Sequence, residues 1–337
     1  MNPIARRVGI GIALAAVLLG YFLHGLDLRS LARTLAAADV GLLLAALAIV
    51  IASYAARSWR WGEMLAPLAR VKQMDLFSAT MIGFAASLIV PRSGELLRPW
   101  LIAQRARIKA GSAFATIVIE RLVDLCCIVC MLALYWFVLP RPAEEQPNHW
   151  VAMLRLGAVA ACAALVALGA LLLWLHARGE SAAARLQRLL GRAPQWLAAR
   201  ATSLTRSFAN GLEVLRAPPR TWAWIGLQSV VVWGLTALSL HLVQLAFGIA
   251  LPLQATLLLL GFVIVGESIP TPGLVGGFHA LYLLGLTEVY GIDRQTAAAA
   301  VVAAHAVLNL PPLFVGAACL PREGLRRLRP PAAQAPH

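Results

Sequence analysis

The sequence predicts an all-α polytopic membrane protein with about six full transmembrane helices and two re-entrant or hairpin segments in an inverted repeat. Of the 337 residues, 60% are hydrophobic and only 13% are charged, whereas a soluble domain carries roughly 25% charge. Apolar runs of about 20 residues, long enough to cross a hydrocarbon core, recur along the chain. These runs show no alternation, which favours helices, and helices pair every backbone polar group within the bilayer.

Six apolar runs are predicted as full spans. The first, Val8–Leu23, follows Arg6 and Arg7 and resembles a signal peptide, but no small-residue cleavage site closely follows it, so we expect a retained span. The predicted spans are 8–24, 40–57, 112–139, 151–176, 221–247 and 296–320. Together with the hairpins they form one membrane domain over 1–325, followed by a disordered basic and proline-rich tail over 326–337.

Positive charge sets the predicted orientation. The net charge is +14 and nearly all of the basic residues are arginines. We place Arg57 and Arg60 in a loop after the second span, on the same side as the stretch 177–220 and the tail, and the positive-inside rule makes that side cytoplasmic. Loops 25–39 and 140–150 are nearly balanced and are predicted to be outside. The prediction is a bacterial inner-membrane protein with both termini in the cytoplasm.

Two apolar segments, 74–110 and 252–295, contain helix breakers and do not fit simple spans. The residues predicted to break or hinge the backbone are Pro91, Gly94, Pro272, Gly273, Gly276 and Gly277. The sides assigned to the basic loops predict that the first segment enters and leaves the membrane from the cytoplasm. They predict that the second segment enters and leaves it from outside. Inverted repeats with broken segments indicate a transport site near the bilayer midplane. The alternative is two ordinary helical hairpins beside four further spans.

The first candidate site is the stretch Pro91-Arg92-Ser93-Gly94-Glu95-Leu96-Leu97-Arg98. The forked donors of Arg92 and Arg98 suit a phosphate, and Glu95 suits a balancing or proton-coupling role. The alternative is a cytoplasmic turn with solvated charges.

The second candidate site is the trio Glu120, Arg121 and Asp124 in the third span. Glu120 and Asp124 share a helix face, and Glu120 lies about 12 Å into the predicted helix at 1.5 Å per residue. A charge at that depth is expensive, so we expect the trio to face the protein interior with partners. One interpretation is a static ion-pair cluster. The other is that the carboxylates hold Arg121 ready for an anion and take part in gating or proton coupling.

The third candidate site is the stretch of helix breakers in segment 252–295, which we call the second break; the stretch 91–98 is the first break. Glu267 and His279 are the titratable residues of the second break. We predict a gating or proton-coupling role for them, and a packed, hydrogen-bonded His279 is the alternative. His305 and Asn309 are expected to make hydrogen bonds between helices.

Several kinds of site are not predicted. Enzyme motifs for nucleotides, zinc hydrolysis and serine nucleophiles are missing from the sequence, so no catalytic residue and no cofactor are predicted. Cys126, Cys127 and Cys130 are read as small packing residues rather than a metal site. Trp59 and Trp61 beside arginines are read as interfacial anchors. Nucleic acid is not expected as a partner, because no soluble basic surface is predicted.

The segments 91–98 and 120–124 resemble the flippase-like membrane family named for the transmembrane region of lysylphosphatidylglycerol synthase. The stretch around Pro272 and Gly273 is also similar to the family pattern, although that pattern usually has a second Gly at Leu274 and often Glu at His279. The resemblance covers roughly 5–320 and implies a stand-alone member without the synthase domain. It implies movement of a lipid headgroup, or of a lipid-linked group, between leaflets.

Three functions follow from these expectations. The first is transport of a lipid with an anionic or phosphate-bearing headgroup, in which Arg92, Arg98 and Arg121 bind the phosphate. The second is a membrane-embedded transferase acting on a lipid or polyprenyl phosphate, with Glu120 or Asp124 as base. The third is a non-catalytic partner of a separate lipid-modifying enzyme. The residue pattern favours a transporter over an enzyme.

Overall fold

A computed structural model describes residues 3–146, 148–189 and 195–323, with side chains at 13–146, 148–178 and 201–321. Within these ranges the chain is helical and contains no strand. The thirteen α-helices are α1 Pro3–Leu23, α2 Leu28–Ala36, α3 Val40–Leu65, α4 Gln73–Ile89, α5 Gly94–Ala106, α6 Ala110–Phe137, α7 His149–Leu189, α8 Gln195–Gly211, α9 Pro219–Ala246, α10 Leu253–Ser268, α11 Gly277–Leu284, α12 Arg294–Asn309 and α13 Pro311–Glu323. The predicted tail, 326–337, lies outside the described residues.

Local sequence explains where several helices begin and end. The carboxylate of Asp27 accepts hydrogen bonds from the amides of Arg29 and Ser30 and starts α2, and Asp39 caps α3 in the same way. Proline at the first turn starts α9. The helix α4 ends just before Pro91, because a residue that precedes proline disfavours the helical conformation. These signals therefore end the helices in the connecting segments and do not interrupt the apolar runs.

Helices occur at all six predicted spans, and four of them are long and apolar enough to cross a membrane: Val40–Leu65, His149–Arg178, Pro219–Ala246 and Arg294–Pro321. A fifth candidate is the pair Ala13–Leu23 and Leu28–Ala36, which is bent by 80°. The helix α6 has 28 residues but carries three charges in its middle. The last span is divided at Leu310, where α12 ends and α13 begins.

The two predicted interrupted segments are helical hairpins. In the first, α4 packs against α5, and in the second, α10 packs against α11, which continues into a π-helical turn at Gly285–Val289. The long helices α3 and α9 pack along each other between the hairpins. The two hairpins also meet, because α4 contacts the short 3₁₀ turn Pro272–Leu274.

Apolar side chains form two clusters. One contains buried faces of α9 to α12 and the second half of α6, and Trp233 belongs to it. The other joins the second half of α3 to α4, α5 and the first half of α6, and Trp61 belongs to it. Both tryptophans contact the charged residues described next, which therefore lie between the two apolar clusters.

Candidate functional site

Five charged side chains from three helices form a network that we call the charged cluster: Arg60, Arg98, Glu120, Arg121 and Asp124. The Glu120 carboxylate accepts hydrogen bonds from Arg98 at 3.2 Å and from Arg121 at 2.8 Å. Asp124 lies 2.7 Å from Arg60 and 3.2 Å from Arg121. Four of the five are almost fully buried, whereas the Arg121 side chain is 41% exposed.

Polar and aromatic neighbours complete the cluster. Arg98 donates to the Thr80 hydroxyl at 3.3 Å, and Arg60 donates to the Ser229 hydroxyl at 2.8 Å. The indole of Trp233 donates to Asp124 at 3.2 Å. The Arg98 guanidinium lies 4.5 Å from the centre of the Trp61 ring, and cation–π pairs of this kind are worth about 2 kcal/mol when desolvated.

The cluster lies deep in the helix bundle. Measured at 1.5 Å per residue, Glu120 is about 15 Å from the start of α6, and Ser229 is about 15 Å from the start of α9. Arg98 is about 12 Å from the end of α5 by the same measure. The cluster therefore lies more than two helical turns beyond the starts of α6 and α9 and the end of α5.

Arginine outnumbers carboxylate in this region. Arg57 is also buried, and its guanidinium lies 4.8 Å from the centre of the Trp233 ring. Three arginines are therefore buried here, Arg57, Arg60 and Arg98, against two buried carboxylates, Glu120 and Asp124. The less buried Glu95 and Glu267 act on Arg121 and Arg57 from the sides. The Nε atoms of Arg60, Arg98 and Arg121 are buried without a hydrogen-bond partner among the described residues. Because buried donors are normally satisfied, this arrangement suits an additional anion.

The first break carries Arg92 and Glu95, which lie outside the charged cluster. Arg92 has a left-handed backbone, with φ of 63°, and its side chain donates to the Ser268 carbonyl of the second hairpin at 3.4 Å. A positive φ in a non-glycine residue stores strain, and such strain is concentrated at functional sites. Glu95 is exposed and acts electrostatically on Arg121. The first break therefore contacts the second hairpin and acts electrostatically on the charged cluster.

The second break places Glu267 beside polar groups from other helices. Arg57 and Asn309 are the polar side chains that act on Glu267, which is partly buried. Tyr54, one turn before Arg57 on α3, donates to the Leu308 carbonyl at 3.0 Å. Arg57 therefore connects the two sites, because it acts on Asp124 as well as on Glu267.

His279 is separated from the charged cluster and is packed among aromatic rings. Its ring centre is 4.6 Å from that of His305 and 5.1 Å from that of Phe22. His305 contacts the turn of the second break rather than a facing helix, because its Nε2 lies 2.9 Å from the Gly273 carbonyl in the turn Pro272–Leu274. The Nδ1 atom of His279 is buried and has no partner among the described residues.

Glycine has two different functions in the breaks. Gly273 and Gly276 have φ of 68° and 97°, and Leu274 between them has φ of 57°, the conformation that glycine adopts most easily. Gly94 and Gly277 instead permit close packing, because a Cβ atom at either position would overlap the backbone carbonyl of Gly83 or Gly266. At the first break the left-handed residue is Arg92, not a glycine.

The structure brings together four predicted site residues, Arg98, Glu120, Arg121 and Asp124. The prediction that Arg57 and Arg60 lie in a solvated loop is wrong, because α3 continues to Leu65 and buries both side chains. The reading of Trp61 as an interfacial anchor is also wrong, since it is fully buried against Arg98, while Trp59 is 52% exposed. The spacing of 57, 60, 61 and 64 along one helix face was the available signal.

These features define a class of protein: a helical membrane protein with two broken hairpins and a buried, arginine-rich ionic cluster. The chain matches the lysylphosphatidylglycerol synthase TM region family over residues 8–316, and it belongs to that family. The match covers almost all of the chain and confirms the resemblance carried by the motifs at 91–98 and 120–124.

The chain is also similar to a protein that is named as an enzyme. The chain is 26% identical over 330 residues to the protein named glycosyltransferase AglD of Haloferax volcanii. The aligned region covers 91% of this chain and 53% of that protein, so the chain spans about half the length of that relative. Among the described residues, no group of three or more His, Cys, Asp or Glu side chains is arranged to hold a metal ion.

Proposed function

We propose that the protein moves a phospholipid or lipid-linked phosphate between the leaflets of the bilayer, with the headgroup phosphate bound at the charged cluster. The observation that carries this proposal is the excess of buried guanidinium groups deep in the helix bundle. A permanent cation inside hydrocarbon costs at least about 2.5 kcal/mol, so such residues are rare and mark pathways for ions or headgroups. Arg98 and Arg121 bind the phosphate, and Glu120 and Asp124 hold them in position between substrates.

The two hairpins form an inverted repeat in this proposal. The limbs of each hairpin cross at a glycine pair, and the residue numbers 83 and 94, like 266 and 277, are eleven apart. The long helices α3 and α9, which precede the two hairpins, pack against each other. Opposed broken hairpins permit alternating access to a site between them. Glu267 and His279 couple protons or gate the second hairpin, and both termini are cytoplasmic in a bacterial inner membrane.

The first hairpin is re-entrant from the cytoplasm and the second from outside in this scheme. Arg92 connects their tips through the Ser268 carbonyl. Breaking that hydrogen bond would leave the packing of α4 against the turn Pro272–Leu274 as the remaining contact between the hairpins. A phosphate that attracts Arg92 away from Ser268 would thereby link binding to opening.

A headgroup-movement assay in proteoliposomes tests the proposal. Purified protein in vesicles of phosphatidylcholine and phosphatidylglycerol should accelerate the movement of a labelled phosphatidylglycerol between leaflets. Arg98→Gln and Arg121→Gln should abolish most of that acceleration, and Arg216→Gln, which alters an exposed arginine on the cytoplasmic 3₁₀ turn, should leave it unchanged. Transport that is the same in all four proteins would contradict the site.

A membrane-embedded transferase is the second candidate, because a relative is named a glycosyltransferase. In that case Glu120 or Asp124 acts as the base and the protein forms product in detergent, where no leaflets exist. The third candidate is a non-catalytic role beside a separate lipid-modifying enzyme. Product formation in detergent by the isolated protein would favour the transferase. Co-purification of an enzyme partner with no activity alone would favour the third candidate.

A further inference from the structure

A group of exposed basic side chains lies at the open end of the first hairpin, away from its break. We call this group the basic rim, and it consists of Arg70, Lys72, Arg107 and Lys109. The first two residues belong to the connection between α3 and α4, and the other two belong to the connection between α5 and α6. Lys72 and Lys109 are the only lysines in the sequence.

The two connections are held at the same end of the hairpin. Asp75 in the first turn of α4 forms an ion pair with Arg105 in the last turn of α5. Val71 and Ile108, which adjoin the basic residues along the chain, pack against the same apolar cluster. The four cations of the basic rim therefore surround one end of the first hairpin.

The positive charge of the basic rim is not neutralised by the protein. Within the part of the chain that the structure describes, none of the four side chains has an ion-pair partner, and Glu63 near the end of α3 pairs with none of them. Other arginines at helix ends differ, because Arg105 pairs with Asp75 and Arg216 lies 3.5 Å from Glu213. The basic rim therefore attracts an anionic partner.

Three of the four cations occupy positions that local backbone preferences disfavour. Lys72 and Lys109 each immediately precede a helix and make no capping hydrogen bond, and the helix dipole is unfavourable for a cation at that end. Arg107 ends α5 in the left-handed conformation, with φ of 55°, where glycine is the usual residue. Departures from local preference are expected at functional positions, so these side chains have a use beyond folding.

Exposed tryptophans place this end of the molecule at the membrane surface. Trp59 on α3 is 52% exposed and Trp224 on α9 is 41% exposed, and their rings pack edge to face with centres 5.9 Å apart. At 1.5 Å per residue, Trp59 lies about 9 Å before the end of α3 and Trp224 about 8 Å after the start of α9. Tryptophan is enriched at the boundary between hydrocarbon and headgroups. The basic rim follows the end of α3 and therefore lies beyond that boundary, among the headgroups.

We propose that the basic rim binds the anionic headgroups of membrane phospholipids in the leaflet at this end of the molecule. The partner is a lipid rather than an acidic protein, because the two tryptophans place the rim at the level of the headgroups. Each lysine or arginine near an anionic surface strengthens the attraction about fivefold. The rim is separate from the charged cluster, and the proposal does not depend on the movement of headgroups between leaflets.

The two lysines allow a direct test of the basic rim. The wild-type protein is reconstituted in nanodiscs of phosphatidylcholine, alone or with an equal amount of phosphatidylglycerol, and acetylation of each lysine by a water-soluble reagent is followed by peptide mass spectrometry. A phosphate held against an ammonium group slows its acetylation. We expect phosphatidylglycerol to slow the acetylation of Lys72 and Lys109 about fivefold, and about 1 M salt to remove this protection by screening.

A matched control corrects for the acidity of an anionic surface, which slows acetylation of every nearby amine. Arg216→Lys introduces a lysine beside Glu213 on the 3₁₀ turn Leu212–Arg216. Its acetylation should be slowed less than that of Lys72 and Lys109, because Glu213 neutralises its charge. Equal slowing at all three lysines would overturn the proposal.

Arg107→Gly separates the charge of the basic rim from the fold. Glycine adopts the left-handed conformation more easily than arginine, so the unfolding temperature should be kept or raised. The protection of Lys109 by phosphatidylglycerol should nevertheless fall to about twofold or less, and Arg107→Lys should retain it because the charge is kept. Full protection of Lys109 in Arg107→Gly would overturn the proposal. Protection by soluble polyglutamate but not by phosphatidylglycerol would also overturn it, and would identify an acidic protein as the partner.

Discussion

The limbs of the first hairpin cross at Gly83 and Gly94, and those of the second cross at Gly266 and Gly277. The backbone plan is shared, but the side chains differ. The first hairpin supplies Arg98, which is tied to Glu120 and stacked on Trp61. The second supplies Glu267 and His279, which lack an ion pair among the described residues. The two hairpins therefore share a backbone frame, but the first places a buried arginine in an ion pair, whereas the second carries a carboxylate and an imidazole that have none among the described residues.

The largest expected effect is at Glu120. In Glu120→Gln the guanidinium groups of Arg98 and Arg121 lose their shared carboxylate, and loss of one partner from a buried ion pair typically destabilises by about 3–5 kcal/mol. Unfolding by denaturing detergent, followed by circular dichroism, measures the change. Glu267→Gln should be milder, because Glu267 has no ion pair among the residues that the structure describes. Equal losses for the two variants would remove the distinction between the hairpins.

The next effect tests the shared frame. Gly94→Ala and Gly277→Ala each place a methyl group against a backbone carbonyl, and overpacking of this kind costs typically about 1–3 kcal/mol. Both variants should lower the unfolding temperature in detergent by a similar amount.

Gly157→Ala on α7 is the matched control for the glycine variants. No atom lies within 4 Å of its Cβ position, so alanine should stabilise the helix by about 0.5–1 kcal/mol. A destabilised control would show that the method does not report packing. If only one of the two hairpin variants is affected, the hairpins do not share the crossing.

The smallest effect concerns the left-handed residues. Leu274→Gly should stabilise the protein, because a non-glycine residue in this conformation costs roughly 1–2 kcal/mol. Arg92→Gly should relieve the backbone at the first break in the same way but should lower headgroup transport, because the side chain is lost. Unfolding temperature and transport measured together separate the two effects. Full transport by Arg92→Gly would mean that only its conformation matters.

Much of the fold could be predicted from hydropathy, because spans must be long, apolar and helical. The trio on α6 was predicted to face the interior, since a charge at that depth needs partners, and the structure confirms this for Glu120 and Asp124. Arg57 and Arg60 were missed because the positive-inside rule assigns arginines near a helix end to the cytoplasmic loop. Their burial depends on contacts with α6 and α9 far along the chain, such as the bond from Arg60 to Ser229.

The second break shows a different limit. Its glycines and prolines predicted a break, and the backbone angles of Gly273 and Gly276 agree with that. The sequence did not indicate that His279 would lie against His305, because that contact joins α11 to α12. Contacts between distant segments depend on how helices pack, and local pattern does not encode them.

The most direct test of the central claim removes one buried guanidinium and one buried carboxylate together, while Arg121 keeps its contact with Asp124. In the double variant Arg98→Gln with Glu120→Gln, a guanidinium and a carboxylate are removed together, so the penalty for an unpaired charge is smaller than in either single variant. The exposed pair Arg216 and Glu213, 3.5 Å apart, provides the matched control when both are changed to glutamine. We predict that the buried double variant, still folded in the membrane, loses the movement of phosphatidylglycerol between leaflets while the control keeps it. Equal transport by the two folded variants would contradict a headgroup site at the charged cluster.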